Sequence, residues 1–389
     1  MELDHYLRDH GHESYVVATR LEKQYPNVYQ IGNRMEWNGH AVLSRLTGHQ
    51  GYFSRITTSK MLRYLDSIQP DVVHLRNLRA SAFNYPMLFR YLSQKRIPVV
   101  LTLHDCFMFT GRCVYYTVKE CYQWENGCRK CPSEFQCERS WFFDFCRSLQ
   151  NDKRKFFGSI AKLGVVGVSD WVTNESKRSF LGSASIIKRI YNWIDMDVFH
   201  PYEECENENY RKKIGVDHEF VILGIASGLS KEKGLDELLA VAEANKDAKV
   251  ILVGIIPDGI EFPENVITLG EIKSKEELSR IYSMADVFVN PSPQETFGKT
   301  TAESLSCGTP VIGYDMTATS ELLDDNRGIL VNYNDKTEGF IRAVERFRIT
   351  GKYHFSEACV EFARDNFDMQ SNIEEYMRVY EELIERNQE

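Results

Sequence analysis

The stretch NPSPQETFGKTTAESLSCGTPVIGYD, residues 290–315, decides the fold and the kind of chemistry that this chain can perform. It opens at the polar end of an apolar strand pattern, DVFVNPS, crosses a short loop and enters a helix that we expect to begin near Gly298. A second strand pattern, PVIGYD, follows the helix. Strand, helix and strand in this order predict a parallel sheet covered by helices.

The same alternation extends through the rest of the chain. The other predicted strands lie at 14–20, 71–77, 99–105, 164–169, 220–227, 248–254, 266–270 and 328–331, and the helices at 57–68, 83–95, 235–245, 275–285 and 370–387. A polar, acidic stretch at 191–213 is typical of a linker. We therefore predict two doubly wound α/β domains, 1–195 and 196–369, with a Cys-rich insertion at 106–146 and a charged amphipathic helix at 370–389.

Composition narrows the class of protein. The 389 residues are 43% hydrophobic and 26% charged, as in globular proteins, and no apolar run approaches the roughly 18 residues that cross a bilayer. Residues 1–200 carry 27 Lys and Arg against 19 Asp and Glu, whereas the remainder carries 20 against 37. The net charge of −9 argues against a nucleic-acid partner. The basic front half could attract anionic lipid or a phosphorylated acceptor, and an unevenly charged solvated surface is the equal alternative. We expect a cytoplasmic protein, with a peripheral position at the inner membrane face as the alternative.

Two glutamates bracket the start of the predicted helix. Glu295 precedes Gly298, and Glu303 lies roughly 7.5 Å along the helix axis at 1.5 Å per residue. The free amides of Gly298, Lys299 and Thr300 would form an anion site between the two carboxylates. A diphosphate resting there, with a sugar hydroxyl donating to a carboxylate at each end, has the shape of a nucleotide-diphosphate-sugar. An ordinary helix terminus with acidic neighbours is the alternative.

Lysines in a second loop point to the same chemistry. SGLSKEKGLDELL (227–239) follows a strand of the second domain, so Lys231 and Lys233 lie at a carboxyl end of the sheet. A lysine there can neutralise a leaving diphosphate without a metal. Neither a G-x-G-x-x-G fingerprint nor a Walker loop is present. Asp195 and Asp197 form a D-x-D that could hold Mg²⁺, but in a linker we interpret it as a solvated turn.

Cysteines gather in the front half. Cys113, Cys121, Cys128 and Cys131, with Cys137 close behind, contain a single C-x-x-C. Because a strong zinc signature has a second close pair, a structural zinc site and a group of reduced, packed thiols both stay open.

These motifs resemble those of the retaining glycosyltransferases of family 4. ETFGKTTAES (295–304), followed by CGTPV (307–311), is similar to the E-x7-E signature of that family. PDVVHLRN (70–77), TLHDCFMFTGRC (102–113) and GCRKCP (127–132) resemble the subgroup that builds capsular, colanic-acid-type and other surface polysaccharides. The resemblance implies the GT-B fold, with two facing Rossmann-like domains, a cleft between them and a C-terminal crossover helix.

The resemblance also implies roles for individual residues. Glu295, Lys233 and His104 form the implied catalytic set: Glu295 contacts the donor sugar, Lys233 the diphosphate, and His104 faces the donor sugar from the first domain. Glu303 would bind the ribose. The implied donor-binding set is completed by Phe297, Gly298, Lys299, Thr300 and Gly228. The reaction would be transfer from a UDP- or GDP-sugar with retention, without a metal cofactor, to a lipid-linked saccharide.

Two departures from the family pattern bear on turnover. The sequence begins at what resembles the first helix, without the usual first strand and glycine-rich loop. We expect either that the true start lies upstream or that the first domain lacks part of its acceptor wall. Gly228 stands where the family tends to carry an arginine beside the phosphate-binding lysine.

Two alternative hypotheses for the function remain. The chain could be a non-catalytic sugar-nucleotide binder or scaffold, or it could be a zinc-knuckle nucleic-acid protein.

Overall fold

The computed structural model describes residues 1–19, 25, 27–78, 81–132 and 140–385. The chain divides into two compact units. The first contains Met1–Ile190 together with Ile373–Glu389, and the second contains Tyr191–Asn372. Each unit is built around its own parallel β-sheet.

The first unit has two parallel sheets. A two-stranded sheet pairs β1 (Val16–Ala18) with β2 (Val28–Gln30). The four-stranded sheet has the order β3-β4-β5-β6, with β3 (Val73–Arg76), β4 (Val99–Leu103), β5 (Leu163–Gly167) and β6 (Ile186–Arg189). The helices are α1 (Glu2–Asp9), α2 (Arg34–Thr47), α3 (Arg55–Ile68), α4 (Tyr85–Lys95), α5 (Cys146–Gly158) and α6 (Asp170–Arg178). Strands β4 and β5 are buried along their whole length, because helices cover both faces of such a sheet.

The second unit has one six-stranded sheet. Its strands are β7 (Val221–Gly228), β8 (Lys249–Ile255), β9 (Val266–Gly270), β10 (Val287–Asn290), β11 (Val311–Tyr314) and β12 (Gly328–Val331). Its helices are α7 (Glu204–Lys213), α8 (Leu235–Ala244), α9 (Lys275–Met284), α10 (Lys299–Ser306), α11 (Thr319–Leu322), α12 (Lys336–Thr350) and α13 (Tyr353–Phe367). The last helix of the chain, α14, spans Met369–Glu385.

The strand order of the second unit fixes where a ligand can bind. The order is β12-β11-β10-β7-β8-β9, so the first strand, β7, lies beside the fourth, β10. The chain therefore winds outward in both directions from the β7–β10 pair. In sheets of this kind, ligands bind at the carboxyl ends of the strands at this reversal point.

The structure confirms the predicted α/β class. Each apolar run that predicts a strand overlaps one in the structure. It adds β2 and β6, which have partly exposed residues and no long apolar run. The predicted linker at 191–213 is corrected, because it contains α7 and belongs to the second unit. Over the described residues, no helix is long and apolar enough to cross a membrane.

Helix α14 packs against the sheet of the first unit. The Tyr380 hydroxyl and His74 Nδ1 lie 2.7 Å apart, and the Tyr376 hydroxyl lies 3.1 Å from Thr102 Oγ1. The Leu383 side chain is fully buried over β5, where a Cβ added at Gly164 would stand 2.9 Å from Leu383 Cδ1. The absence of a side chain at Gly164 lets the helix approach the strand closely.

Leu383→Ala should lower the free energy of unfolding of the first unit by about 2–5 kcal/mol, because the substitution leaves a cavity between α14 and β5. Urea unfolding followed by circular dichroism measures the change. Glu381→Ala, at an exposed position of the same helix, is the matched control and should shift the free energy by less than about 0.5 kcal/mol. Equal effects of the two substitutions would contradict the packing described.

Candidate active site

The loops that follow β7 and β10 meet at the carboxyl edge of the second sheet. The two strands are parallel neighbours, with Val287 opposite Ile222 and Phe288 opposite Leu223. After β7 the chain forms a single 3₁₀ turn, Lys231–Lys233, before α8. After β10 it runs through a loop to α10. Residues far apart in sequence therefore share one edge.

Lys233 joins these two loops. Its Nζ donates to Glu295 Oε1 at 3.0 Å and to Ser292 Oγ at 3.2 Å. An ammonium group has three N–H donors, so one remains for a ligand. The lysine side chain is 40% exposed and the glutamate 18%, so this ion pair lies at the surface of the unit, where a ligand can reach it. The structure thus brings two of the predicted catalytic residues, Lys233 and Glu295, into contact.

Gly234 fixes the path of the Lys233 loop. Its φ is +82°, a left-handed conformation that favours glycine. A Cβ at this position would also stand 2.4 Å from Pro291 Cγ, in the loop after β10. The close approach of Gly234 to Pro291 holds the lysine turn against the loop that carries Ser292 and Glu295.

A third loop holds the backbone of Glu295. The Glu295 N–H donates to Thr317 Oγ1 at 3.0 Å, and the Ala318 N–H donates to the Glu295 carbonyl at 3.2 Å. Thr317 has a φ of +54°, which is uncommon for a β-branched residue and concentrates at functional sites. Three loops at the same edge therefore position this carboxylate.

Helix α10 starts where the sequence predicts. Gly298 is its N-cap residue, with a φ of +80°, and no side chain caps the helix. The first-turn amides of Lys299, Thr300 and Thr301 consequently have no capping acceptor and form an anion-binding terminus. An added Cβ at Gly298 would meet only ordinary contacts with the protein, the nearest at 3.4 Å, so the left-handed backbone is what calls for glycine here.

Glu303 is buried on the first turns of α10. Tyr282 donates its hydroxyl to Glu303 Oε2 at 3.1 Å, and the exposed Lys299 ammonium lies 3.5 Å from Glu303 Oε1. Burial raises the pKa of the Glu303 carboxyl, whereas Lys299 and Tyr282 act in the opposite direction. A partly desolvated carboxylate of this kind is a strong acceptor for a ligand hydroxyl.

Phe297 and Gly228, the other predicted binding residues of this unit, differ in their burial. Phe297 is buried, with its ring 5.4 Å from that of Phe367 and 5.9 Å from that of Tyr191, so its side chain belongs to the core. Gly228 is exposed at the end of β7, and a Cβ added there would meet nothing within 4 Å.

The sequence analysis did not identify Ser292, Tyr282 and Thr317 as site residues. Each of them contacts Lys233, Glu303 or Glu295 from a distant position in the chain.

His104 lies in the first unit, directly after β4. Its Nε2 accepts from Arg76, with Nη2 at 3.3 Å and Nε at 3.4 Å. Burial, with a smaller contribution from the Arg76 charge, lowers the pKa of His104 to about 4. The imidazole is therefore neutral at physiological pH and uses Nε2 as an acceptor.

The structure brings together three of the four cysteines in the predicted zinc ligand set. Cys113, Cys131 and Cys146 form a buried group with Cys128 packed against it, and Cys121 is not a member. Cys146 joins the group because Asp144 accepts from both the Cys131 and the Cys146 N–H groups. Cys137 lies outside the described residues. Within the described residues, no three His, Cys, Asp or Glu side chains are placed to hold a metal.

Two Rossmann-like parallel-sheet units, with an acidic and lysine-bearing edge on the second, define a glycosyltransferase of the GT-B class. Residues 1–198 match the family model described as Glycosyltransferase Family 4, and residues 219–348 match the model Glycosyl transferases group 1. The chain belongs to glycosyltransferase family 4.

A curated relative agrees with this assignment, and solved structures share the fold. The chain is 23% identical over 326 residues to the O-antigen biosynthesis glycosyltransferase WclY of Escherichia coli, covering 81% of this chain and 80% of WclY. A glycosyltransferase structure from Rickettsia africae ESF-5 has a TM-score of 0.66 at 16% identity, covering 98% and 93% of the two chains. Anabaena HepE, solved in complex with UDP-glucose, has a TM-score of 0.60 at 18% identity, covering 84% and 82%.

Arg76→Gln should raise the pKa of His104 from about 4 toward 6.5 without reaching it, because burial is the larger cause of the shift. The pH titration of the imidazole ¹⁵N resonances by NMR measures this pKa. Since the folded pKa lies below the unfolded value near 6.5, the contribution of His104 to stability is lost as the pH falls from about 6.5 to about 4. Arg90→Gln, at an exposed position of α4, should leave the titration unchanged; an unchanged titration in Arg76→Gln would contradict the contact.

Proposed function

We propose that the chain transfers a hexose from a UDP- or GDP-sugar to a hydroxyl of a growing surface polysaccharide, with retention of anomeric configuration. One observation carries the proposal: Lys233 bridges Ser292 and Glu295 in the loop that leads to the uncapped amino end of α10. The complex of HepE with UDP-glucose supports the donor class, and the similarity to WclY supports a surface saccharide as acceptor. The comparisons lend no support to a non-catalytic binder.

The donor would be held by three kinds of contact. The free N–H donor of Lys233 and the amides of Lys299 and Thr300 bind the diphosphate. Glu303 accepts hydrogen bonds from the ribose hydroxyls, and its partner Tyr282 fixes the carboxylate orientation. Glu295 accepts from the donor-sugar hydroxyls. These groups recognise ribose, diphosphate and sugar in that order.

Transfer would proceed on one face of the donor sugar. The bond between the anomeric carbon and the diphosphate oxygen breaks, and the acceptor oxygen bonds to the anomeric carbon from the same side. The acceptor proton passes to the departing phosphate oxygen. Lys233 and the α10 amides stabilise the charge on the leaving diphosphate, which supplies most of the rate acceleration. Because Nε2 of neutral His104 already accepts from Arg76, its Nδ1–H would be the group that donates to a donor-sugar hydroxyl. No carboxylate nucleophile is needed.

Lys233→Gln should lower kcat by about 100-fold or more, because it removes the cation that stabilises the leaving diphosphate. The assay is release of UDP or GDP from a panel of nucleotide-sugars by the full chain, supplied with a saccharide acceptor extract. Lys231→Gln, two residues earlier and 81% exposed, is the matched control and should retain activity within about twofold.

Equal activity of the Lys233→Gln and Lys231→Gln proteins would overturn the proposed role of the lysine. The anomeric configuration of the product, read by NMR from the same reaction, tests retention, and an inverted product would overturn the same-face mechanism.

We also propose that the acceptor is reached at an anionic membrane surface through helix α2. Met35, Val42, Leu43 and Leu46 of this helix are exposed, whereas its buried residues are His40 and Ser44. An amphipathic helix of a protein in water normally buries its apolar side. The reversed arrangement indicates an apolar partner outside the fold.

Aromatic residues extend this surface. Trp141, Phe142 and Phe143 are 53%, 69% and 54% exposed, and the Trp141 N–H donates to the Arg45 carbonyl at the end of α2 at 2.7 Å. Together with the four exposed α2 residues, they form what we call the α2 apolar surface. Exposed aromatic and aliphatic side chains on the more basic half of a chain are typical of a lipid-binding face.

Trp141→Ser combined with Phe142→Ser should weaken binding to vesicles of phosphatidylglycerol and phosphatidylcholine by about tenfold or more, since apolar area no longer enters the bilayer. Cosedimentation measures the bound fraction. Ile349→Ser, which removes an 88% exposed apolar residue from the second unit, is the control and should bind as the unmodified protein does. Absence of vesicle binding by the unmodified protein would overturn the membrane proposal.

A further inference from the structure

A polar pocket of about 220 Å³ lies in the first unit under the carboxyl half of α2. Its polar lining comes from Ser44, Arg45, Gln50, Ser81 and Arg112, and small or apolar residues complete the wall. This volume is below the roughly 300–1,000 Å³ of a site for a whole drug-sized ligand. The pocket is therefore large enough for a substituent of a ligand rather than for a nucleotide-sugar.

The guanidinium of Arg112 is the decisive group. Its side chain is only 5% exposed, and its Nη2 lies 3.6 Å from Asp144 Oδ1. Its Nη1 is buried without a hydrogen-bond partner in the described part of the chain, and the same holds for Ser44 Oγ. Buried polar atoms in folded proteins are nearly always paired, and a charged donor left unpaired is costly. Both atoms belong to residues that line this pocket, so a ligand bound there is placed to pair with them.

The charge of the pocket selects the ligand. Among the described residues, Arg45 and Arg112 line it and no acidic side chain does. Asp144, the partner of Arg112, already accepts from the Cys131 and Cys146 N–H groups at 2.9 and 3.0 Å. These two hydrogen bonds engage both carboxylate oxygens, which leaves Arg112 Nη1 for another anion.

The available groups match one class of substituent. Two guanidinium groups and two serine hydroxyls supply hydrogen-bond donors around a small volume, and arginine binds carboxylate and phosphate oxygens with particular strength. We propose that this pocket binds an oxyanion, a carboxylate or a phosphate ester, carried by the acceptor saccharide. This inference rests on the proposed function and adds that the acceptor is acidic.

Thermal unfolding of the full chain tests the proposal, because a ligand that binds the folded state raises the Tm in a saturable manner. The probes are glucuronate, glucose 6-phosphate and neutral glucose, at matched ionic strength. Glucuronate or glucose 6-phosphate should raise the Tm and glucose should not. If only one of the two anions raises the Tm, that anion identifies whether the pocket prefers a carboxylate or a phosphate.

Variants locate the site of binding. Arg112→Lys keeps a positive charge beside Asp144 but removes Nη1, and Arg45→Gln removes the exposed cation. Each should weaken the anion response by about tenfold or more. Arg34→Gln, which removes an exposed cation from the start of α2, and Lys233→Gln, in the second unit, should leave it unchanged. If Arg112→Lys fails to fold, Arg45→Gln still decides the outcome.

Two results would overturn the pocket assignment: no saturable response to either anion, or a response that survives Arg45→Gln unchanged. A parallel titration with UDP and GDP separates this inference from the proposed function. If UDP or GDP binds but neither anion raises the Tm, only the oxyanion pocket is rejected. If neither nucleotide binds, the proposed donor site is rejected.

Discussion

The parallel pairing of β7 with β10 is the constraint on which the candidate active site depends. The two strands are separated in sequence by two other strands, and their pairing places the reversal point of the sheet between them. The buried apolar residues of both strands stabilise this pairing, so hydrophobic burial far from any ligand sets the position of the polar loops. Lys233 and Glu295 are 62 residues apart in the chain and 3.0 Å apart in space for this reason.

The charged groups of the site are held in place before any donor arrives. Lys233 is anchored by Ser292 and Glu295, and Glu303 is anchored by Tyr282, so little side-chain freedom remains to be lost when a ligand binds. The anchoring groups do not consume the binding capacity of the site, because the ammonium keeps one donor and each carboxylate keeps further lone pairs. Fixed dipoles and charges of this kind favour charge development on a leaving group more than mobile water does.

The fold could be predicted from sequence where burial is complete and the signal is local. Val-rich strands such as β4, β5 and β10 are covered on both faces and therefore read as unbroken apolar runs. The edge strands β2 and β6 are only partly buried, and α7 has no buried residue, so none of these elements leaves a clear pattern. The start of α10 was predictable because glycine and the glutamates lie within one short motif. Tyr282 and Thr317 were not, because they reach the glutamates from other elements of the fold, and Cys146 joined the cysteine group through contacts with Asp144 that spacing does not reveal.

The two proposals for the first unit, a membrane-binding surface and an oxyanion pocket, both depend on the sequence of helix α2. RMEWNGHAVLSRLT places Met35, Val42, Leu43 and Leu46 away from the unit, and His40 and Ser44 toward it. A helix that only stabilised the fold would have the opposite distribution, because burial of its apolar residues would contribute more than burial of a serine without a partner. Under the two proposals, the outward apolar residues contact lipid, and the inward serine together with Arg112 binds an anion. An acceptor saccharide that is acidic and anchored in a membrane would satisfy both proposals, since its lipid and its charged group would lie on opposite sides of α2.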